Sequence, residues 1–235
     1  MSCCPTNLKP VVSGYAKKSL EYYIAGVGAT KGLLITPDIF GRHPNAFQLA
    51  DIFAAKGFLV VMPDYFREKP WPTDRFPPTE ADQKDIGEFF ERIAYDKVKP
   101  DVVAAADVAR RLGATSLGML GMCWGGKIAM RANADGIVSC CATAHPSFVD
   151  AQDAKDVKGP VCFLPSGDEP NMDDIEAALK AQAFAGKNIF QRYDDLRHGF
   201  MGARGFVYTD YSDDKVKARV EEAINQTADF FLANL

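Results

Sequence analysis

Nowhere does this chain run to the roughly 20 consecutive apolar residues that a helix needs to cross a bilayer, so no membrane partner is expected. Excess basic charge is missing as well. Lysine and arginine number 27 against 31 acids, a formal net charge of −4, and no basic run is interleaved with aromatics. That balance argues against a surface for nucleic acid or anionic lipid. The start, Met1-Ser2-Cys3-Cys4-Pro5, has neither a basic opening nor an apolar core. It does not read as a secretory leader, and the expected location is cytoplasmic. There is no GxGxxG or P-loop pattern, and the three histidines fall into no metal-ligand spacing with cysteines or acids. Neither a cofactor nor a metal is expected.

Cysteine is present six times, but not as a disulfide framework. Cys140, Cys141 and Cys162 lie inside apolar, strand-like runs, where a reduced thiol packs as a small hydrophobe. Cys3 and Cys4 read as a flexible, exposed pair. The sixth, Cys123, stands in a different pattern and is treated below.

With 47% hydrophobic and 25% charged residues, the chain suits one domain spanning residues 1–235. A strand with Leu20, Tyr22 and Ile24 on one face is expected over Ser19–Ala25, antiparallel to its neighbour. Gly32–Thr36 and Phe58–Met62 are continuous apolar runs, each ended by proline, as in strands buried on both faces of a parallel sheet. Further strands are expected over 116–122, 136–144, 160–166 and 187–193. Helical spacing covers 44–56, 80–95 and 101–112, a segment from about Asn171, and 213–231, whose stripe is Val216, Val220, Ile224, Ala228 and Phe231. The stretch from Pro63 to Pro78 holds five prolines with Tyr65, Phe66, Trp71 and Phe76. It reads as a packed excursion, a pocket wall, or both. Alternating strands and helices give an α/β class: a mostly parallel twisted sheet with helices on both faces.

The most informative stretch is Ser116-Leu117-Gly118-Met119-Leu120-Gly121-Met122-Cys123-Trp124-Gly125-Gly126-Lys127. A strand, a sharp turn carrying one cysteine between glycines, and a helix make a nucleophile elbow, Gly-x-Cys-x-Gly. Small residues two before and two after the nucleophile relieve clashes in the turn. The helix start aims free N–H groups and a positive dipole end at the sulfur, favouring thiolate. The N–H of Trp124 is placed to donate to an oxyanion. Read alone, the motif fits equally a glycine-rich turn with an inert buried cysteine.

Ligands of open α/β sheets bind at the carboxyl ends of strands. Three such ends carry Cys123, Asp168 and His198, in the nucleophile–acid–histidine order of α/β-hydrolases. His198 is the candidate base and Asp168 its candidate orienter, with Glu169, Asp194 and Asp195 as alternatives. His145, after another strand, reads as a pocket residue, a reserve base or a hydrogen-bonded structural histidine. His43 reads as a loop or cap residue.

Pro37-Asp38-Ile39-Phe40-Gly41, Val61-Met62-Pro63-Asp64-Tyr65-Phe66, Gly121-Met122-Cys123-Trp124-Gly125-Gly126, Ser166-Gly167-Asp168 and His198-Gly199-Phe200 together resemble the dienelactone hydrolase (carboxymethylenebutenolidase) family of α/β-hydrolases. The elbow, His145-Pro146-Ser147-Phe148 and the double cysteine further resemble a eukaryotic branch. The resemblance implies a thiol nucleophile, a base and an orienting acid at Cys123, His198 and Asp168. It implies an oxyanion hole from the N–H groups of Trp124 and Ile39. A family glutamate that contacts the resting thiol corresponds to Asp38. Of the arginines that hold a substrate carboxylate, one corresponds to Gly202; Arg204 and Arg75 are the substitutes in this chain. The expected function is a cysteine-dependent hydrolase of a small-molecule ester or lactone. The alternative is an idle relic of the fold that binds a small ligand or senses redox state through its thiol.

Overall fold

The computed structural model describes residues 21–207 and 210–235. Ser19, Leu20 and the Cys3–Cys4 pair lie outside them. The first half of the chain forms β1 (Tyr22–Ala25), β2 (Lys31–Thr36), α1 (Pro44–Ala55), β3 (Phe58–Pro63), α2 (Gln83–Arg92), α3 (Tyr95–Arg111), β4 (Ser116–Met122) and α4 (Gly125–Ala134). The second half adds β5 (Cys140–Ala144), α5 (Ala151–Asp156), β6 (Val161–Leu164), α6 (Asp173–Lys180), β7 (Ile189–Phe190), α7 (Arg204–Val207) and α8 (Asp214–Asn234). The strands make one seven-stranded sheet in the order β1-β3-β2-β4-β5-β6-β7. β1 runs antiparallel to β3 and every other pair is parallel. This is the α/β-hydrolase fold.

The unbroken apolar runs follow from burial on both faces. On β3, Leu59 and Val61 enter one core with Leu34, Met119, Cys141 and Phe163, under α3 and α4. Their neighbours Val60 and Met62 enter the other, with Leu33, Ile35, Leu120 and Cys162, under α1 and α8. Alternation is present, but both phases face apolar layers. Gly118 on β4 lets α8 sit close: a Cβ there would lie 2.7 Å from the Phe231 ring. Burying a ring or branched aliphatic of this kind is worth roughly 1.5–3 kcal/mol, so the two layers fix where the strand ends fall.

Several boundaries differ from the sequence reading, three of them with a clear local cause. The helix break falls at Ile93–Ala94, and α3 continues through Pro100. Pro100 is exposed and deletes only the bond to the Asp96 carbonyl near the helix start, while Val98, Val102, Ala105 and Ala109 hold the opposite side in the core. β5 begins at Cys140, because Gly136, with φ +72°, closes a turn on Asn133. β7 is two residues long; Gln191 and Tyr193 still donate to the Phe163 and Pro165 carbonyls, so the edge stays pinned. The Pro63–Pro78 excursion is both of the things expected of it. Tyr65, Phe66 and Trp71 are buried, with Phe66 stacked on Phe89 at 5.6 Å, while Phe76 reaches the cavity described next.

Candidate active site

β4 delivers Cys123 at its carboxyl end with φ +54°, in the left-handed region that a non-glycine residue enters at a cost. The surroundings hold it there. Its N–H donates to the Ala144 carbonyl at 3.1 Å, and its own carbonyl accepts from Gly126 at 3.0 Å and Ser147 at 2.9 Å. A Cβ at Gly121 would fall 1.9 Å from the Gly125 oxygen, and one at Gly125 would fall 2.4 Å from the Thr36 oxygen. Both glycines are therefore steric necessities of a tight elbow, not general loop flexibility. The Trp124 ring is anchored by its indole N–H on the Ile93 carbonyl at 3.2 Å, which fixes the first turn behind the sulfur.

Cys123 and His198 open into one cavity of about 330 Å³, lined also by Asp38, Ile39, Ser147 and Arg204. The Ser147 hydroxyl lies 3.5 Å from the Cys123 sulfur. On the far side of the imidazole, His198 Nδ1 meets Glu169 Oε1 at 2.5 Å. Glu169 is buried, and its other oxygen accepts the Ser166 N–H. Burial alone would lower the imidazole pKa. The sulfur of Cys123 and the carboxylate of Glu169 outweigh it and push the value up to about 10. Through the neutral range the ring carries a proton between the Cys123 sulfur and the Glu169 carboxylate.

The expected orienter, Asp168, stands beside the ring, not on it. Its Oδ2 accepts the main-chain N–H of His198 at 2.9 Å, and both oxygens take the Arg197 Nε–H at 2.7 and 2.8 Å. Partial burial works against ionisation there, but Arg197 and that N–H prevail and hold the Asp168 carboxyl below its ordinary value. Asp168 thus shapes the loop that carries His198, while Glu169, one residue on and one methylene longer, reaches the imidazole.

Asp38 also departs from expectation. It is buried, and its carboxylate accepts from the N–H groups of Phe40 and Ala203, both at 3.0 Å, and lies 3.3 Å from His43 Nε2. The hydrogen-bonding neighbours of the sulfur are Ser147 and His198. His43 is a cap, as one reading had it: its Nδ1 accepts the Ala46 N–H at the start of α1. Arg75 is drawn away from the cavity, bonded to Asp82 and Asp85 with its guanidinium 4.9 Å above the Trp71 ring. Arg204 does line the cavity, with its Nε 3.2 Å from Asp210.

His145 is fully buried, and neither ring nitrogen has a hydrogen-bond partner on another described residue. Its ring stands edge-on to His198 at 5.0 Å and to Phe200 at 5.1 Å. Burial, then the charge of His198, holds its pKa well below 6.5. Among the described residues no cluster of His, Cys, Asp and Glu has the makings of a metal site, and no helix is long and apolar enough to cross a membrane.

The model of the dienelactone hydrolase family matches residues 21–235. The chain belongs to the dienelactone hydrolase family. Curated relatives agree. An uncharacterized AIM2 family protein of Schizosaccharomyces pombe is 32% identical over 98% of each chain. Dienlactone hydrolase 1 of Gibberella moniliformis is 32% identical over 72% of this chain and 67% of its own. Among solved structures, a putative dienelactone hydrolase from Klebsiella pneumoniae superposes with a TM-score of 0.65 at 17% identity, covering 89% of this chain and all of that one. Membership makes the chain an enzyme of the carboxylic ester and lactone hydrolase class. Of the site residues now visible, Glu169 stood in the sequence only as an alternative to Asp168, and Ser147 only as part of a motif. A buried acid directly before Pro170 was the available signal for Glu169, but turn geometry decides which of two adjacent carboxylates points inward.

Proposed function

We propose that the protein hydrolyses a small ester or lactone through a thiol nucleophile, with Cys123, His198 and Glu169 as the working triad. One observation carries the reading: an elbow cysteine and an imidazole line a single cavity, and a buried carboxylate backs the imidazole from behind. With the proton already on His198, the Cys123 sulfur attacks the carbonyl carbon as a thiolate. The N–H groups of Trp124 and Ile39 hold the oxyanion of the tetrahedral intermediate. As the intermediate collapses, the C–O bond breaks and His198 hands its proton to the leaving alkoxide, leaving a thioester on Cys123. Water, deprotonated by the now neutral His198, then attacks the thioester, and collapse releases the acid and restores the thiolate beside the protonated ring. Glu169 fixes the ring's tautomer and faces its positive charge throughout. Asp168 acts on the loop. The substrate is a small molecule, and the four described cysteines, all unpaired, suit the reducing cytoplasm we propose for it.

Turnover of p-nitrophenyl acetate by the wild type, Cys123→Ala, Glu169→Gln and Asp168→Asn tests this. The expected order is wild type above Asp168→Asn, Asp168→Asn above Glu169→Gln, and no enzymatic rate for Cys123→Ala. Wild-type turnover no faster than Cys123→Ala would instead support an idle relic of the fold. A larger loss for Asp168→Asn than for Glu169→Gln would return the orienting role to Asp168.

A further inference from the structure

Four phenylalanines from four separate segments meet at the cavity: Phe40 after β2, Phe76 in the proline-rich excursion, Phe90 on α2 and Phe148 after β5. They form two edge-to-face pairs. Phe40 and Phe76 have centroids 5.4 Å apart at 87°, and Phe90 and Phe148 are 5.0 Å apart at 70°. One ring of each pair is left to solvent, Phe76 at 37% and Phe148 at 61% exposure. Phe148 is held there by a backbone with φ +64°, a conformation a bulky residue adopts only when its surroundings impose it. Rings kept exposed at a cavity mouth have unsatisfied faces and edges, and another aromatic ring satisfies them better than an aliphatic one of the same size.

The charges lining the same cavity offer little to an anion. Asp38 contributes a carboxylate of its own, and the Arg204 guanidinium already faces Asp210. A substrate carboxylate would meet one acid and two cations, Arg204 and His198, each with an acid already behind it. An uncharged group loses nothing there.

Resting on the hydrolase reading above, we propose that the substrate class is a neutral ester or lactone bearing an aromatic ring, which Phe76 and Phe148 receive together with their partners Phe40 and Phe90. The ring sits among the phenylalanines while its carbonyl lies at Cys123.

Benzyl acetate and cyclohexylmethyl acetate test this, since they differ only in whether the six-membered ring is aromatic. With each kcat/KM divided by the same ester's hydroxide-catalysed rate, wild type should favour benzyl by about tenfold or more, roughly 1.4 kcal/mol. Phe76→Leu and Phe148→Leu should each cut that ratio at least about threefold. Both side chains are exposed, and an unchanged circular dichroism spectrum and melting temperature would verify the fold of each variant. A wild-type ratio within twofold of one overturns the proposal. So does a high ratio that neither substitution moves.

Hydrolysis of neither ester would sink the hydrolase reading instead. The aryl site is then judged by calorimetry on the Cys123→Ala protein, comparing N-benzylacetamide with N-(cyclohexylmethyl)acetamide, which the enzyme need not cleave. Tighter binding of the benzyl amide by about fivefold or more, lost in Cys123→Ala/Phe148→Leu, supports the proposal. Equal binding, or no binding of either amide, overturns it.

Discussion

His145 and His198 are the same side chain, with ring centroids 5.0 Å apart, yet the protein treats them in opposite ways. His198 has a thiol on one side and a buried carboxylate on the other, so it holds its proton up to about pH 10. His145 has neither; sealed in the core with the His198 ring 5.0 Å away, it stays neutral. The difference lies in the partners, since burial lowers the pKa of both rings and only one has compensating negative charge. The cysteines repeat the lesson in sulfur. Burial pushes the Cys140 thiol up to about 12 and Cys141 and Cys162 well above their ordinary value, which makes them inert packing groups. Cys123 alone among the described cysteines has a cavity in front of it and an imidazole beside it.

The widest gap should appear in turnover. His198→Ala is expected to lower kcat by about 10²–10⁴-fold, and His145→Phe, which keeps a flat ring in the same space, by less than about tenfold. Steady-state kinetics on one ester decides it, and a reversal would mean that the buried ring is the working base. Next comes the acid that separates the two histidines. Glu169→Gln should cost about 10²-fold or more, because the wrong tautomer is then favoured. Asp168→Asn should cost about tenfold or less, since an amide oxygen can still accept the His198 N–H. Chemical labelling sharpens the sulfur half of the contrast. Iodoacetamide at neutral pH should modify Cys123 well before Cys140, Cys141 or Cys162, as read by peptide mass spectrometry, and His198→Ala should slow Cys123 alone.

The smallest effect concerns stability against pH, where the two rings should pull in opposite directions. The raised pKa of His198 gives stability that is complete below about pH 6.5 and fades as pH climbs toward 10. The lowered pKa of His145 gives the reverse: its burial costs nothing above about pH 6.5 and becomes a growing penalty on acidification. Urea midpoints across pH 5 to 10 should therefore lose their alkaline decline in His198→Gln and part of their acid decline in His145→Phe. Parallel curves for wild type and both variants would refute the assignment of charge to the two rings.

Much of this was readable from residue order. Proline-ended apolar runs gave the buried strands, and Gly121-x-Cys123-x-Gly125 gave the elbow, because each depends on local sterics that sequence spells out. The strand carrying His198 was legible although β7 proved very short, since the loop after it, not its length, carries the histidine. What stayed hidden depends on where a side chain points after the chain has folded. Asp168 and Glu169 are adjacent and both acidic; only the turn tells which meets the imidazole. Asp38 is one residue from Ile39, yet its carboxylate is spent on the Phe40 and Ala203 N–H groups and on His43. Arg75 was a candidate for the cavity until two acids ten residues or fewer away claimed it. The aromatic mouth gathers four segments distant in sequence, and no window along the chain could have joined them.

Gly202 stands where the family resemblance puts an arginine, and a Cβ there would lie 2.8 Å from Asp38 Oδ2. The two positions are therefore interlocked. A side chain at 202 would need the Asp38 carboxylate to move, and that carboxylate is itself tied to the Ala203 N–H. Removing Asp38 first would free the space but strip partners from the Phe40 and Ala203 amides, so the intermediate is a damaged protein. Glycine at 202 and aspartate at 38 therefore work as a pair, and a substitution at either is best made together with a change at the other.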